Sequence, residues 1–430
     1  MAEKHFKLKY GSIYLPLELK EENILHILEG QDLEPITDLE AAVNEILDNP
    51  LGTEPFNHIF ASGQKVVIVV SDVTRLWVKT SLFLPFIIKR LNQLGITDDA
   101  ITILVATGTH REESESELRA IVGTDIFQRI KVIDHICDQR ENLVYVGTTS
   151  RGTEVEVNRF LLEADRVILT GGIVHHLMAG FGGGRKSIVP GVASKKTIAQ
   201  NHLHALDPQA KKSNPLIGVG ALRYNPLHED MVEATALVNP DFLVNSIIDT
   251  KGQIVKLVGG HWLKAWEEGC RWCDDNFGIT INEQADLVIA SCGGYPKDMN
   301  LYQSTKSLFN AAKAVKPDGV MILITECREG AGADEFFGWS KFLLDDTIDQ
   351  ELRHNFTIPG YVFFAAVETA QKCKVILVSQ ISPEDVKPMG FHAVPDLQEA
   401  LSIAYGILGP NPVTILMPYA GSTVPLFPPV

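Results

Sequence analysis

Three apolar, β-branched runs recur along the chain: KVVIVVSD (65–72), AITILVATG (100–108) and RVILTGG (166–172). Each ends in a polar or glycine-rich turn. Runs apolar on both faces belong in a parallel sheet flanked by helices, so the alternation predicts a doubly wound α/β fold. Helices are expected near Asp38–Leu47, over Thr80–Leu94, from Ser114 or Ser116, and over VEVNRFLLEAD (155–165). The pattern restarts at Ala285 with ADLVIASCGG, and helix and strand alternate again to Ile407. A chain of 430 residues exceeds the length at which single cores stop growing. Two α/β domains with mainly parallel sheets follow. The first takes residues 1–280, with short β pieces in KLKYGSIYL at its start. A smaller second domain takes 281–412, the tail 413–430 returns to the first, and the active site is expected in the cleft between them.

Composition narrows the function. A net charge of −16, with no run among the 38 Lys and Arg, argues against nucleic acid, since phosphate contacts need clustered cations. The N-terminus lacks a signal-like apolar region and no apolar run approaches a bilayer span, so a cytoplasmic protein without a membrane role is expected. Six cysteines without a regular framework fit a reducing compartment. Cys270 and Cys273 form a CRWC pair, but Trp262, Trp266, Cys270 and Cys273 recur at helical spacing and read as one packed face.

The chemistry concentrates in HHLMAGFGGGRKS (175–187), directly after the third apolar run. Its glycines, Gly183 and Gly184 among them, let backbone approach an anion or a flat ring. Lys186 offers an amine, and histidines stand on both sides: His175 and His176 before it, His202 and His204 after. A P-loop needs glycine directly before its lysine, whereas Arg185 stands there. SDVTR (71–75) places Asp72, Thr74 and Arg75 beyond another strand's carboxyl end, and Arg75 offers a fork for carboxylate or phosphate. ATGTHRE (106–112) places Thr109 and His110 at the same edge. In the second domain GGYPKDMNLYQSTKS (293–307) leads into a helix bearing Tyr302, with Gln303 and Lys306 sharing a face.

In this order these motifs resemble the nickel-dependent lactate racemase family. His176, Lys186 and His202 stand at the family's spacing. The resemblance implies a nickel-pincer nucleotide, a pyridinium mononucleotide held covalently at Lys186 through a thioamide, with His202 as the protein ligand to nickel. It implies His110 and His176 as acid/base residues, and Arg75 and Lys306, assisted by Gln303 and Tyr302, as holders of the substrate carboxylate. Asp72 and Thr74, with the loop at Gly183 and Gly184, would seat the cofactor. Proteins that mature the cofactor are implied as partners; the oligomeric state is left open. One departure stands out: members often carry proline after the SDxTR arginine, where this chain has Leu76 and Trp77. An apolar wall there favours a short aliphatic 2-hydroxy acid such as lactate over a sugar acid. A P-loop-like nucleotide hydrolase and a non-catalytic nickel or cofactor carrier remain the alternatives. The first would use Lys186 on phosphates, and the second would not need His110 and His176.

Overall fold

The computed structural model describes residues 2–333 and 335–427. The chain divides into two compact units, one of residues 32–205 with 215–273, the other of 1–31, 206–214 and 274–430.

In the unit that starts at residue 32, six strands run in the spatial order Ile254–Gly260, Phe242–Ile248, Arg166–Gly172, Val66–Ser71, Ile101–Ala106, Lys131–Asp134. All neighbours are parallel except Ile254–Gly260, an antiparallel edge. Val66 to Val70 are all buried, as β-branched residues covered on both faces should be. The helix Thr80–Gln93 buries Phe83, Leu84, Ile87, Ile88 and Leu91, one stripe at helical spacing, against that sheet. From Val66–Ser71 the chain proceeds outward through 101–106 and 131–134, while 166–172 and 242–248 lie on the other side. The strand order therefore reverses between Val66–Ser71 and Arg166–Gly172, where α/β sheets leave a crevice at their carboxyl ends. Both strands end in the turns that carry the chemistry.

The second unit has its own six-stranded parallel sheet, ordered Phe391–Val394, Lys374–Val378, Val315–Ile324, Ala285–Ser291, Thr414–Met417, Ile24–Ile27. Its composition corrects the expected domain limits. Residues 1–31 belong here, because Ile24–Ile27 supplies the edge strand and the hairpin Glu3–Tyr10/Ile13–Lys20 packs Leu8, Leu17 and Leu19 into this core. The tail belongs here too: Thr414–Met417 is an inner strand, and Val424–Leu426 pairs with Gly278–Thr280. Residues 428–430 lie outside the described residues. Residues 206–214 join the same unit through Arg353, which donates to the carbonyls of Asp207 and Ala210, and Tyr361, which donates to Ser213.

A second correction concerns VEVNRFLLEAD. Glu154–Asn158 is a strand paired with Leu143–Thr148, and only Phe160–Glu163 forms a helical turn. Val155 and Val157 are buried alternately, the period of a strand. The aromatics near Phe337–Trp339 and Tyr361–Phe364 are largely core, with Trp339, Tyr361, Phe363 and Phe364 all buried.

Phe242 stands edge-on to Phe56 at 5.1 Å and is fully buried beside Phe60. Phe242→Ala should cost about 3–5 kcal/mol, read from urea unfolding followed by tryptophan fluorescence. A loss below about 1 kcal/mol would mean that the cluster does not hold this sheet.

Candidate active site

At the carboxyl end of Val66–Ser71 the chain turns through a short 3-10 segment, Val73–Val78. Asp72, at its start, is buried and spends both oxygens inside the protein. Oδ1 accepts from Thr74 Oγ1 at 2.8 Å, and Oδ2 meets His110 Nδ1 at 2.5 Å. Arg75 Nη1 donates to Thr74 Oγ1 at 2.8 Å, so Thr74 links the guanidinium to the carboxylate. His110 is 47% exposed while Asp72 is 4% exposed, so the imidazole faces solvent from a buried carboxylate. A carboxylate at Nδ1 fixes the proton there in the neutral ring and leaves the lone pair on Nε2. His110 thus presents an open lone pair on Nε2.

His176 is held the other way. Its Nδ1 accepts from the amides of Met178 and Ala179, both at 3.2 Å, so the neutral ring carries its proton on Nε2. Nε2 lies 2.7 Å from Lys186 Nζ. Burial, then the charges of Lys186, Arg75, Arg185 and His202, hold this histidine well below its ordinary pKa of 6.5. It is therefore neutral at pH 7. The 2.7 Å contact sets this ring directly against the Lys186 amine.

His202 lies on the helix Lys195–Leu203 and is buried. Its Nδ1 meets the Ile198 carbonyl at 2.9 Å, which places the lone pair on Nε2. Burial, then the Lys186 charge, brings its pKa down to about 4, so the ring is neutral, as a metal ligand must be. Asp230, on the neighbouring helix Pro226–Val238, accepts from Asn201, Thr149 and Thr153 and fixes the His202 end of its helix.

The glycine loop is built from beneath. Arg185 is fully buried, donates to the carbonyls of Phe181 and Ala179 and to His228 Nδ1, and lies 3.9 Å over the Trp266 ring. Trp266 Nε1 donates to the Gly182 carbonyl at 2.8 Å. Gly184, at φ +55°, leaves room for that indole: a Cβ there would come within 2.5 Å of it. Asn245 Oδ1 accepts from the Gly184 amide at 2.9 Å, and the Gly182 amide donates to Val174.

Residues 10–213 match the lactate racemase N-terminal domain, and residues 280–424 match the lactate racemase C-terminal domain. The chain is 33% identical to the lactate racemase of Thermoanaerobacterium thermosaccharolyticum, covering 94% of this chain and 95% of that protein. It is 32% identical to the lactate racemase of Lactiplantibacillus plantarum over 69% of this chain and 68% of that protein. The chain belongs to the lactate racemase family. The lactate racemase apoprotein structure from T. thermosaccharolyticum superposes with a TM-score of 0.87 at 32% identity, covering 98% of this chain and all of that one. A Thermotoga maritima protein at 17% identity shares the fold alone, with a TM-score of 0.64. The chain is accordingly an isomerase, a racemase of a small molecule.

Against that family assignment, the structure brings Asp72, Thr74, Arg75 and His110 into one network and His176 with Lys186 into another. The Arg75 charge reaches His176, and the Lys186 charge reaches His202. Tyr302, Gln303 and Lys306 open the helix Leu301–Ala312 of the other unit. There Lys306 Nζ donates to Gln303 Oε1 at 2.7 Å and the Tyr302 ring stands edge-on to Phe336. Asp72 is the partner of His110 and of Thr74, one on each oxygen. The amide of Gly184 donates to Asn245, and the glycine lets Trp266 pack closely. Trp77 packs on Gly172 and the core, so only Leu76, 42% exposed, is left as an apolar wall. Arg185, His228, Asn245 and Trp266 were missed as parts of the site. Trp266 reads as core, which it also is, Arg185 stands out only as the residue that breaks the P-loop pattern, and nothing local marks His228 or Asn245.

His135 and His202, at about 4, and His228, at about 3, are held neutral chiefly by burial, while the unfolded chain protonates them near 6.5. A depressed native pKa gives stability that is complete above pH 6.5 and is lost as pH falls toward 4. The thermal midpoint of the apoprotein should fall steadily from pH 6.5 to 4.5. A flat profile would show that these rings are protonated in the native state.

Proposed function

We propose that the chain racemises a short aliphatic 2-hydroxy acid, lactate first, using a nickel-pincer nucleotide attached at Lys186. The observation that carries this reading is the opposed setting of two imidazoles, His110 with its lone pair on Nε2 and His176 with its proton there. Inverting a carbinol carbon needs an acceptor for the hydroxyl proton and a donor toward the same oxygen, and these rings provide one of each.

The donor set fits the cofactor. His202 is a neutral buried imidazole whose Nε2 carries the lone pair, and imidazole suits nickel. Among the described residues no group of three or more His, Cys, Asp or Glu could hold a metal ion. A metal at His202 therefore needs donors from outside the protein, which a pincer brings. Lys186 Nζ, 2.7 Å from His176 Nε2, is the amine that would carry the nucleotide. When bound, the nucleotide supplies a centre that accepts hydride from C2 of the substrate and returns it.

The protein's own part is the handling of protons and charge. His110 Nε2 takes the hydroxyl proton, and buried Asp72 stabilises the imidazolium. Acylation of Lys186 takes away its charge, and the substrate oxygen is then an acceptor for the Nε2–H of His176. The proton taken by His110 goes back to the oxygen when hydride returns to the other face of C2, so the proton count closes on His110 while His176 holds that oxygen by a hydrogen bond. Arg75, exposed and braced by Thr74, grips the carboxylate, with Gln303, Lys306 and Tyr302 as further proposed contacts. Leu76 favours a short apolar substituent. Maturation of the cofactor falls to partner proteins.

The alternatives fare less well. A P-loop lysine opens a helix, whereas Lys186 sits in the short turn Gly184–Ser187 and the next helix starts at Lys195. A carrier would have no use for the Asp72–His110 pair.

Single-enantiomer 2-hydroxy acids should be incubated with protein matured alongside the pincer cofactor and resolved by chiral chromatography. The opposite enantiomer is expected, no product with Lys186→Ala, and at least about a 100-fold lower rate with His110→Ala or His176→Ala. A loaded Lys186 in the mass spectrum with no acid inverted would refute the reaction.

A further inference from the structure

The two turns that carry Asp72 and His110 come from different strands, and something must hold them in register. Glu113, three residues beyond His110, lies between them. Its side chain is 1% exposed. Oε1 accepts from the backbone amide of Val73 at 3.1 Å, the residue next to Asp72. Its own amide donates to Asp134 Oδ2 at 2.7 Å, at the carboxyl end of a third strand. Among the described residues Oε2 is buried without a hydrogen-bond partner, and Arg111 Nη1 lies 3.9 Å from it. Burial, with Asp72, Glu117 and Asp134 acting in the same direction, pushes the carboxyl's pKa up. A carboxyl so placed works as a strut between the two turns.

We infer that Glu113 is a positioning residue for the racemase reaction: it ties the turn bearing His110 to the turn bearing Asp72 and Arg75, and so sets the Asp72–His110 contact. The inference rests on the reading of His110 as the base. A displacement of about 1 Å at such a contact is enough to cost about 100-fold in rate.

Three variants separate the strut from a bulk structural role. Glu113→Gln keeps an oxygen for the Val73 amide and carries no charge; it should retain at least half of kcat. Glu113→Ala removes the strut and should lower kcat about 10- to 100-fold while KM changes less than threefold. Val73→Pro removes the same hydrogen bond from the other side. Proline suits the first position of a helical segment, and Asp72 before it already has the extended backbone, φ −72° and ψ 177°, that a following proline demands. It should reproduce the Ala phenotype, and the double variant should be no worse than either single one. It also keeps the test alive should Glu113→Ala fail to fold.

A readout independent of turnover is the His110 Nδ1–H proton in ¹⁵N-histidine-labelled apoprotein. A short bond to a carboxylate moves it far downfield. That signal should persist in Glu113→Gln and shift or disappear in Glu113→Ala and Val73→Pro. If Glu113→Gln is as damaging as Glu113→Ala, or if Val73→Pro leaves kcat and the proton signal unchanged, the strut is refuted. Should the proton respond as described while no 2-hydroxy acid is inverted, the strut stands and the racemase reading falls.

Discussion

A guanidinium that has, among the described residues, no carboxylate in hydrogen-bond contact underlies the whole site. Arg185 is fully buried, and stripping a charge of water costs several kcal/mol even after the protein relaxes. Burial draws its pKa down to about 9, so it stays charged at neutral pH. Backbone carbonyls, the His228 nitrogen and the face of Trp266 offset the cost. In making those contacts Arg185 docks the glycine loop onto the helices Pro226–Val238 and Lys264–Phe277, and fixes where His176 and Lys186 stand on either side of it. Its charge also helps to keep His176 neutral.

From that anchor the rest of the site follows by geometry. The sheet reverses its strand order between Val66–Ser71 and Arg166–Gly172, so the turns after these two strands share one crevice. One turn brings a buried carboxylate that sets His110 as a base. The other brings backbone amides that set His176 as a donor. The contrast between the two imidazoles comes from what each Nδ1 meets, a side chain in one case and the chain's own backbone in the other.

Much of this was legible along the chain. The β-branched runs became strands within a residue or so of their expected limits, Ser114 closes a capping box, and the Trp262–Cys273 stripe is the packed face that its spacing indicated. Errors arose where a segment's fate depends on distant partners. Glu154–Asn158 became a strand because Leu143–Thr148 lies beside it, although the residues around it favour a helix. The first 31 residues joined the second unit because Ile24–Ile27 pairs with a strand that begins only at Thr414.

The sequence by itself determined the class of fold, the two-part organisation and the short list of chemically able residues, Lys186, His110, His176 and His202 among them. Those depend on local period and residue type, which the chain writes out directly. Only the tertiary structure decided which nitrogen of each histidine bears the proton, that Asp72 serves His110, and that Arg185, Trp266 and Asn245 carry the glycine loop. It also decided where the first and last strands belong. Hydrogen-bond partners and sheet neighbours are set by proximity in space, and no linear pattern records a contact such as that between Gly184 and Asn245, 61 residues apart.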